Sequence, residues 1–218
     1  LQLSNLTDLP RLDNRCYQVI QSNKLDLSGL QAGCQSTSQD YLNAADPTSL
    51  LETLTAFGVF NAPELGIQTS SPPSALSLNQ LDQDPTLVMD LKVSPLQMAL
   101  VAAAISNDGI QPPPALINSY LSPDGKWIEI SQEHSESAVM SRSIAKRVQS
   151  ELAMSNQAIW FQSAHATIHE DQPLTWLIGG TTSEWTGTPL AIAIAVEENA
   201  PDLAQAVGGI LLNYLNSD

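Results

Sequence analysis

Ser143-Ile144-Ala145-Lys146 is a pattern in this chain with the residue types and spacing for covalent catalysis. It sets a hydroxyl and an amine on neighbouring turns of a helix, so the amine can act as the base that a serine nucleophile requires. The same four residues also describe a solvated lysine on a surface helix. His134, flanked by Glu133, Ser135 and Glu136, reads as a solvated loop histidine, since no nucleophile is fixed beside it. His169-Glu170-Asp171 offers three metal-ligand types, but adjacent residues in a turn rarely point to one centre. Cys16 and Cys34 lack a histidine cluster, which leaves either a disulfide in an oxidising compartment or two buried thiols. Glu151 and Glu197-Glu198 have no companion for paired-carboxylate work, and Gly179-Gly180-Thr181 lacks the spacing and the lysine of a phosphate loop. Neither a cofactor nor a resident metal is implied.

The elements that must position these groups are legible in part. Ser94 is a helix N-cap, Pro95 fits the first helical position and Gln97 completes a capping box, which predicts a helix over 94–106 ended by Asn107-Asp108-Gly109. Pro47 opens an earlier helix with Leu50, Leu51, Leu54 and Phe57 on its apolar face, and Gly58 ends it. Ser141–Met154 reads as a helix with Ile144, Val148 and Leu152 on one face and Lys146 and Arg147 on the other. Three strands follow, Ala158–Ile168, Thr175–Thr182 and Leu190–Glu197, spaced as consecutive antiparallel hairpins. From Pro201 a last helix carries Leu203, Ala206, Val207, Ile210, Leu211 and Tyr214 as a stripe, with Gly208-Gly209 pointing to close packing. Residues 1–35 read as irregular with short helical pieces, and 61–85, rich in Pro, Ser, Gln and Asp, as a long surface loop.

Composition narrows the function classes. With 23 acidic against 8 basic residues and a formal net charge of -15, the chain repels phosphate backbones and anionic membranes, so no nucleic-acid partner is expected. Aromatic residues at 5% supply no stacking platform for bases or sugars. No apolar run reaches the roughly 20 residues needed to span a bilayer, so no membrane insertion is expected within the chain. A length of 218 residues fits a single domain over 1–218.

The segment Ser94-Pro95-Leu96-Gln97-Met98-Ala99 with its Asn107-Asp108-Gly109 turn resembles the corresponding helix and turn of penicillin-binding protein transpeptidase domains. Trp176-Leu177-Ile178-Gly179-Gly180 and Pro189–Asn199, ending in Glu198-Asn199, are similar to that family's last two strands in order and spacing. The resemblance runs from about Cys16 to the C-terminus. It implies an α+β fold, an antiparallel sheet packed against helices and lacking the N-terminal part of the domain, which either precedes this chain or has been shed.

Active members use Ser-x-x-Lys, then Ser-x-Asn, then Lys-Thr-Gly. Ser143–Lys146 comes after the alanine-rich helix rather than before it, out of the family's order. At the second motif the chain has Gly33-Cys34-Gln35, which lacks the hydroxyl and lengthens the amide. The third motif falls in Ser163–Thr167, where His165 is the nearest possible cation and Thr167 alone retains a carboxylate-binding hydroxyl. The resemblance therefore implies a degenerate, non-catalytic domain, a structural or interaction module of bacterial cell-envelope assembly, outside the cytoplasmic membrane and anchored by an upstream segment. Peptidoglycan stem peptides or β-lactams are its implied ligands, and an upstream segment or a protein partner at the sheet edge its implied neighbour. The alternative it leaves open is an active D,D-transpeptidase whose nucleophile lies upstream.

Overall fold

The computed structural model describes residues 42, 45–65, 67, 69, 72–130, 135–154, 157–167 and 172–214. Cys16, Gly33, Cys34, Gln35, His134, His169, Glu170 and Asp171 lie outside the described residues. Two compact units are formed, one from residues up to Thr53 with Ala75–Leu91, the other from Leu54–Ser74 with Lys92–Asp218.

Helix α1, Pro47–Ala56, starts where Asp46 accepts the Ser49 N–H at 2.8 Å, and Gly58 at φ 67 follows its last turn. Leu50, Leu51 and Leu54 of this helix, and Phe57 just beyond it, are half-buried rather than core residues. The long loop expected over 61–85 is cut short by helix α2, Leu78–Gln83, which with a 3-10 helix, Pro85–Asp90, belongs to the first unit. The physical reason is a second capping box, in which the Ser77 hydroxyl accepts the Gln80 N–H while Gln80 Oε1 accepts the Ser77 N–H at 2.9 Å. Burial of Leu81 adds the apolar contact that a six-residue helix needs.

The second unit is organised by a three-stranded antiparallel meander, β5 (Ile159–Thr167), β6 (Pro173–Thr181) and β7 (Ala191–Val196), in that spatial order. Register is fixed by Trp160 opposite Gly180, Ala164 opposite Trp176, and Ile178 opposite Ala193. Side chains alternate across a strand, so the two faces follow from that register. One presents Trp160, Ile178 and Ala191, which pack with helix α3 (Pro95–Ser106) and helix α4 (Arg142–Leu152) around Ala102 and Ile105. The opposite face presents Leu177 and Ile192 to helix α5 (Pro201–Tyr214), where Gly208 lies directly over them.

Two short pairs complete the unit. Strands β1 (Ile110–Gln111) and β4 (Ser137–Ala138) pair with each other, and β2 (Ser119–Leu121) forms a hairpin with β3 (Trp127–Glu129). The capping box of α3 is present as expected, with the Ser94 N–H donating to Gln97 Oε1 at 2.9 Å. Gln97 has a further role: its Nε2 donates to the carbonyls of Val59 at 2.8 Å and Asn61 at 3.2 Å, tying the start of α3 to the segment after α1. At the other end Asp108 at φ 53 and Gly109 at φ 90 turn the chain out of the helix. A Cβ on Gly109 would collide with the Met140 carbonyl oxygen, so only glycine fits there.

Candidate functional site

The third-motif window Ser163–Thr167 occupies the second half of β5, where Ser163 pairs with Leu177, His165 with Thr175 and Thr167 with Pro173. Alternation sends Ser163, His165 and Thr167 to the α5 face and Ala164 and Ala166 to the α3 face. The direction is checked by Gln205 of α5, whose Nε2 donates to Ser163 Oγ at 3.3 Å. His165 and Thr167 are both exposed, two residues apart on one face, near the end of the hairpin.

Ser143 and Lys146 are brought to the solvent side of α4. Ser141 caps that helix by accepting the Ile144 N–H, and its hydroxyl lies 3.0 Å from Ser143 Oγ. The buried seam of α4 runs through Ala145 and Gln149, with Ile144, Val148 and Leu152 half-buried beside it. Ser143 is thus a first-turn serine turned to another hydroxyl, not one held by a buried base.

Polar groups that are buried together occur elsewhere, where α3, α4 and the open end of the β5–β6 hairpin meet. Trp160, 0% exposed, donates its indole N–H to Ser106 Oγ at 3.0 Å. Gln149, 2% exposed, donates to the Ile105 carbonyl and accepts the Ser183 N–H at 2.7 Å. Thr181 Oγ1 accepts the Leu190 N–H at 3.0 Å, and Thr182 N–H donates to the Ala158 carbonyl at 2.9 Å. Each of these side chains meets a backbone or hydroxyl partner, which makes the cluster a fastening of helix ends to the sheet. Sequence reasoning did not single out Gln149 or Ser106. The available signal was a glutamine at the centre of the α4 seam, one residue from Val148 and four from Ala145.

Charge adds little chemistry here. Arg142 pairs with Asp108 at 2.9 Å beside the α3 turn. Hydrogen bonds from Ser49 hold the Asp46 carboxyl below its ordinary value, and a bond from Ser122 does the same for Asp124 in the β2–β3 turn. Among the described residues no cluster of three metal-ligating side chains is present, and no helix is long and apolar enough to cross a membrane.

An antiparallel meander with α3 and α4 on one face and α5 on the other is an α+β arrangement. Residues 27–180 match the model of the penicillin-binding protein transpeptidase domain, and the chain belongs to that family. Solved structures agree in fold. Penicillin-binding protein 3 of Mycobacterium tuberculosis in complex with aztreonam superimposes with a TM-score of 0.64 at 19% identity, covering 83% of this chain and 49% of that one. PBPA of Mycobacterium tuberculosis gives 0.63 at 21% identity, over 79% of this chain and 44% of the other. A peptidoglycan glycosyltransferase from Burkholderia ambifaria gives 0.61 at 16% identity, over 83% and 60%. The chain spans about half the length of these structures. No curated protein sequence matches it.

Proposed function

We propose that this chain is part of a single non-catalytic transpeptidase domain that serves as a structural or interaction module in bacterial peptidoglycan assembly. It works outside the cytoplasmic membrane, held there by an anchor in adjoining polypeptide. The observation that carries the reading is the content of β5. Its second half, Ser163–Thr167, contains no lysine, so the position that must supply an ammonium group beside the substrate has Ala164 and an exposed His165 instead. The solvent-facing Ser143 and Lys146 do not replace it. Two of the similar solved structures are complexes with aztreonam and ampicillin, so a β-lactam or a stem peptide is the ligand class to test. The domain meets its partner, adjoining polypeptide or another protein, along the sheet edge.

Incubation with a fluorescent penicillin followed by denaturing electrophoresis tests the reading, on the 218-residue chain and on the full product of its gene. No covalent label on either is expected. Label on the full product that survives the double change Ser143→Ala and Lys146→Ala would establish the competing reading, acyl transfer by a nucleophile outside this chain.

A further inference from the structure

Among the described elements β2 and β3 make their substantial contacts only with each other, so their hairpin is an arm of its unit with no helical or sheet layer packed over it. A two-stranded ribbon without such a layer is at best marginally stable in water, and its shape has to come from the turn. The turn is built for that. Ser122, buried among exposed neighbours, accepts the Lys126 N–H on its hydroxyl at 3.3 Å and donates that hydroxyl to Asp124, while its own N–H donates to the Lys126 carbonyl at 2.8 Å. Gly125 at φ 80 closes the loop with its N–H on the Ser122 carbonyl at 2.9 Å, and Asp124 pairs with Lys126 at 3.7 Å at the tip.

Register sets what the arm displays. Leu121 lies opposite Trp127 and Ser119 opposite Glu129 on one side of the ribbon, and Tyr120 lies opposite Ile128 on the other. Trp127 is 70% and Leu121 56% exposed on the first side, Tyr120 50% exposed on the second, where Ile128 and Ile130 are exposed too. A hairpin with one face in water ordinarily alternates, apolar towards a core and polar towards solvent. This one is apolar on both sides and polar only at its tip, Ser122-Pro123-Asp124-Gly125-Lys126. Leu116 and Ile117, exposed where the chain enters β2, carry the apolar surface down to the base of the arm.

We infer that the β2–β3 arm is a docking element whose occupant is a cleft of another protein, apolar on both walls and basic at its rim. The two-sided pattern selects a cleft, because a flat partner, whether a sheet face or a bilayer plane, covers Trp127 or Tyr120 but not both. Charge selects a protein over a membrane. A bilayer entered from the tip has to take in Asp124 and Lys126 first, and anionic lipid repels a chain of net -15. A second copy is set aside on the same grounds, since two arms cover only one face of each other and each copy brings a net -15 to the contact. The basic rim answers Glu129, which shares the Trp127 face, is exposed and has no ion-pair partner among the described residues. A guanidinium or ammonium group there pairs with the carboxylate and lies on the indole ring beside it. This contact is separate from the sheet edge and goes beyond the reading above, holding for a catalytic and a non-catalytic domain alike.

Photo-crosslinking tests this on the natural product of the gene in the cells that make it, with benzoylphenylalanine in place of Leu121 or of Ile128, one on each face of the arm, and adducts identified by mass spectrometry. Both positions should capture the same polypeptide, one of net positive charge, and that polypeptide, once purified, should bind the natural product in calorimetry. Trp127→Ser with Tyr120→Ser should weaken that binding about 100-fold, and Glu129→Lys about 10-fold. The urea midpoint of these variants should stay at the parent value, because none of the three side chains is buried. No adduct, capture from one face only, different polypeptides from the two faces, an acidic polypeptide, a lipid adduct or an adduct of two copies of this chain overturns the inference. So does a captured polypeptide that the double variant binds as tightly as the parent does. Penicillin labelling reads catalysis only: a labelled product whose arm is captured on both faces refutes the non-catalytic reading and keeps this one, and an unlabelled product with no capture does the reverse.

Discussion

Two adjacent glycines in α5 should respond to the same substitution with opposite signs. A Cβ built on Gly209 has no heavy atom within 4 Å, so Gly209→Ala should add helix propensity and stabilise by up to about 1 kcal/mol. A Cβ on Gly208 would lie 2.8 Å from Cδ2 and 3.3 Å from Cδ1 of Leu177, and 3.5 Å from Cδ1 of Ile192. Leu177 is 0% exposed in the middle strand, so its side chain cannot swing out into solvent. Overpacking of this kind costs about 1–3 kcal/mol, against which the helix gain of about 1 kcal/mol applies equally. Gly208→Ala should therefore be neutral to about 2 kcal/mol destabilising, and the two variants should differ by about 1–3 kcal/mol. Urea unfolding followed by far-UV circular dichroism, with matched slopes, gives both numbers. Leu177→Val trims the blocking methyls, so in a double-mutant cycle it should relieve the strain of Gly208→Ala but leave Gly209→Ala unchanged. Equal stabilisation by both alanines would refute the close approach of α5 to the sheet.

Gln149 and Asp46 give two further tests. Gln149→Leu leaves the Ile105 carbonyl and the Ser183 N–H without their shared partner, which should destabilise by about 2–5 kcal/mol in the same assay; a loss under 1 kcal/mol would mean that the glutamine fastens nothing. The folded-state pKa of Asp46 is depressed by the bonds from Ser49, so its contribution to α1 is present above the unfolded value of about 4 and is lost as pH falls through the folded value. Helicity over 47–56, followed by NMR shifts, should decline on that acid limb, and Asp46→Asn should remove the limb; a variant with an unchanged acid titration would show that another group is responsible.

Much of the scaffold was legible because its determinants are local. Ser94, Pro95 and Gln97 specify the start of α3 within four residues, and Asp108 and Gly109 specify its end. The three strands were placed within about two residues of their observed limits, since alternation and turn chemistry are short-range signals. Helix α2 is hidden in the sequence for a related reason. Ser77 and Gln80 form a capping box as complete as that of α3, but they stand in a run of Pro, Ser, Gln and Asp whose composition reads as loop. Composition averages over a window, whereas a cap is decided by two side chains.

The polar cluster was illegible for a different reason. Ser106 and Trp160 are 54 residues apart, Gln149 and Ile105 are 44 apart, and nothing in either neighbourhood announces the other. The contacts are produced by tertiary packing. Gly180 lets α3 approach until Ser106 Oγ occupies the place of a Cβ, and that approach brings the Trp160 indole within reach of the hydroxyl. The pair Gly179-Gly180 therefore has a structural meaning the sequence could only mark as a glycine pair: a Cβ on Gly179 would strike the Phe161 Cβ at 2.8 Å on one face, and Gly180 admits α3 on the other. The two glycines thus serve different contacts at the end of the middle strand: Gly180 admits α3, and Gly179 admits the Phe161 side chain of the neighbouring strand. The polar side chains retained in that packing, Gln149 and Ser106, are those whose hydrogen bonds join the end of α3 to α4 and to Trp160 of β5.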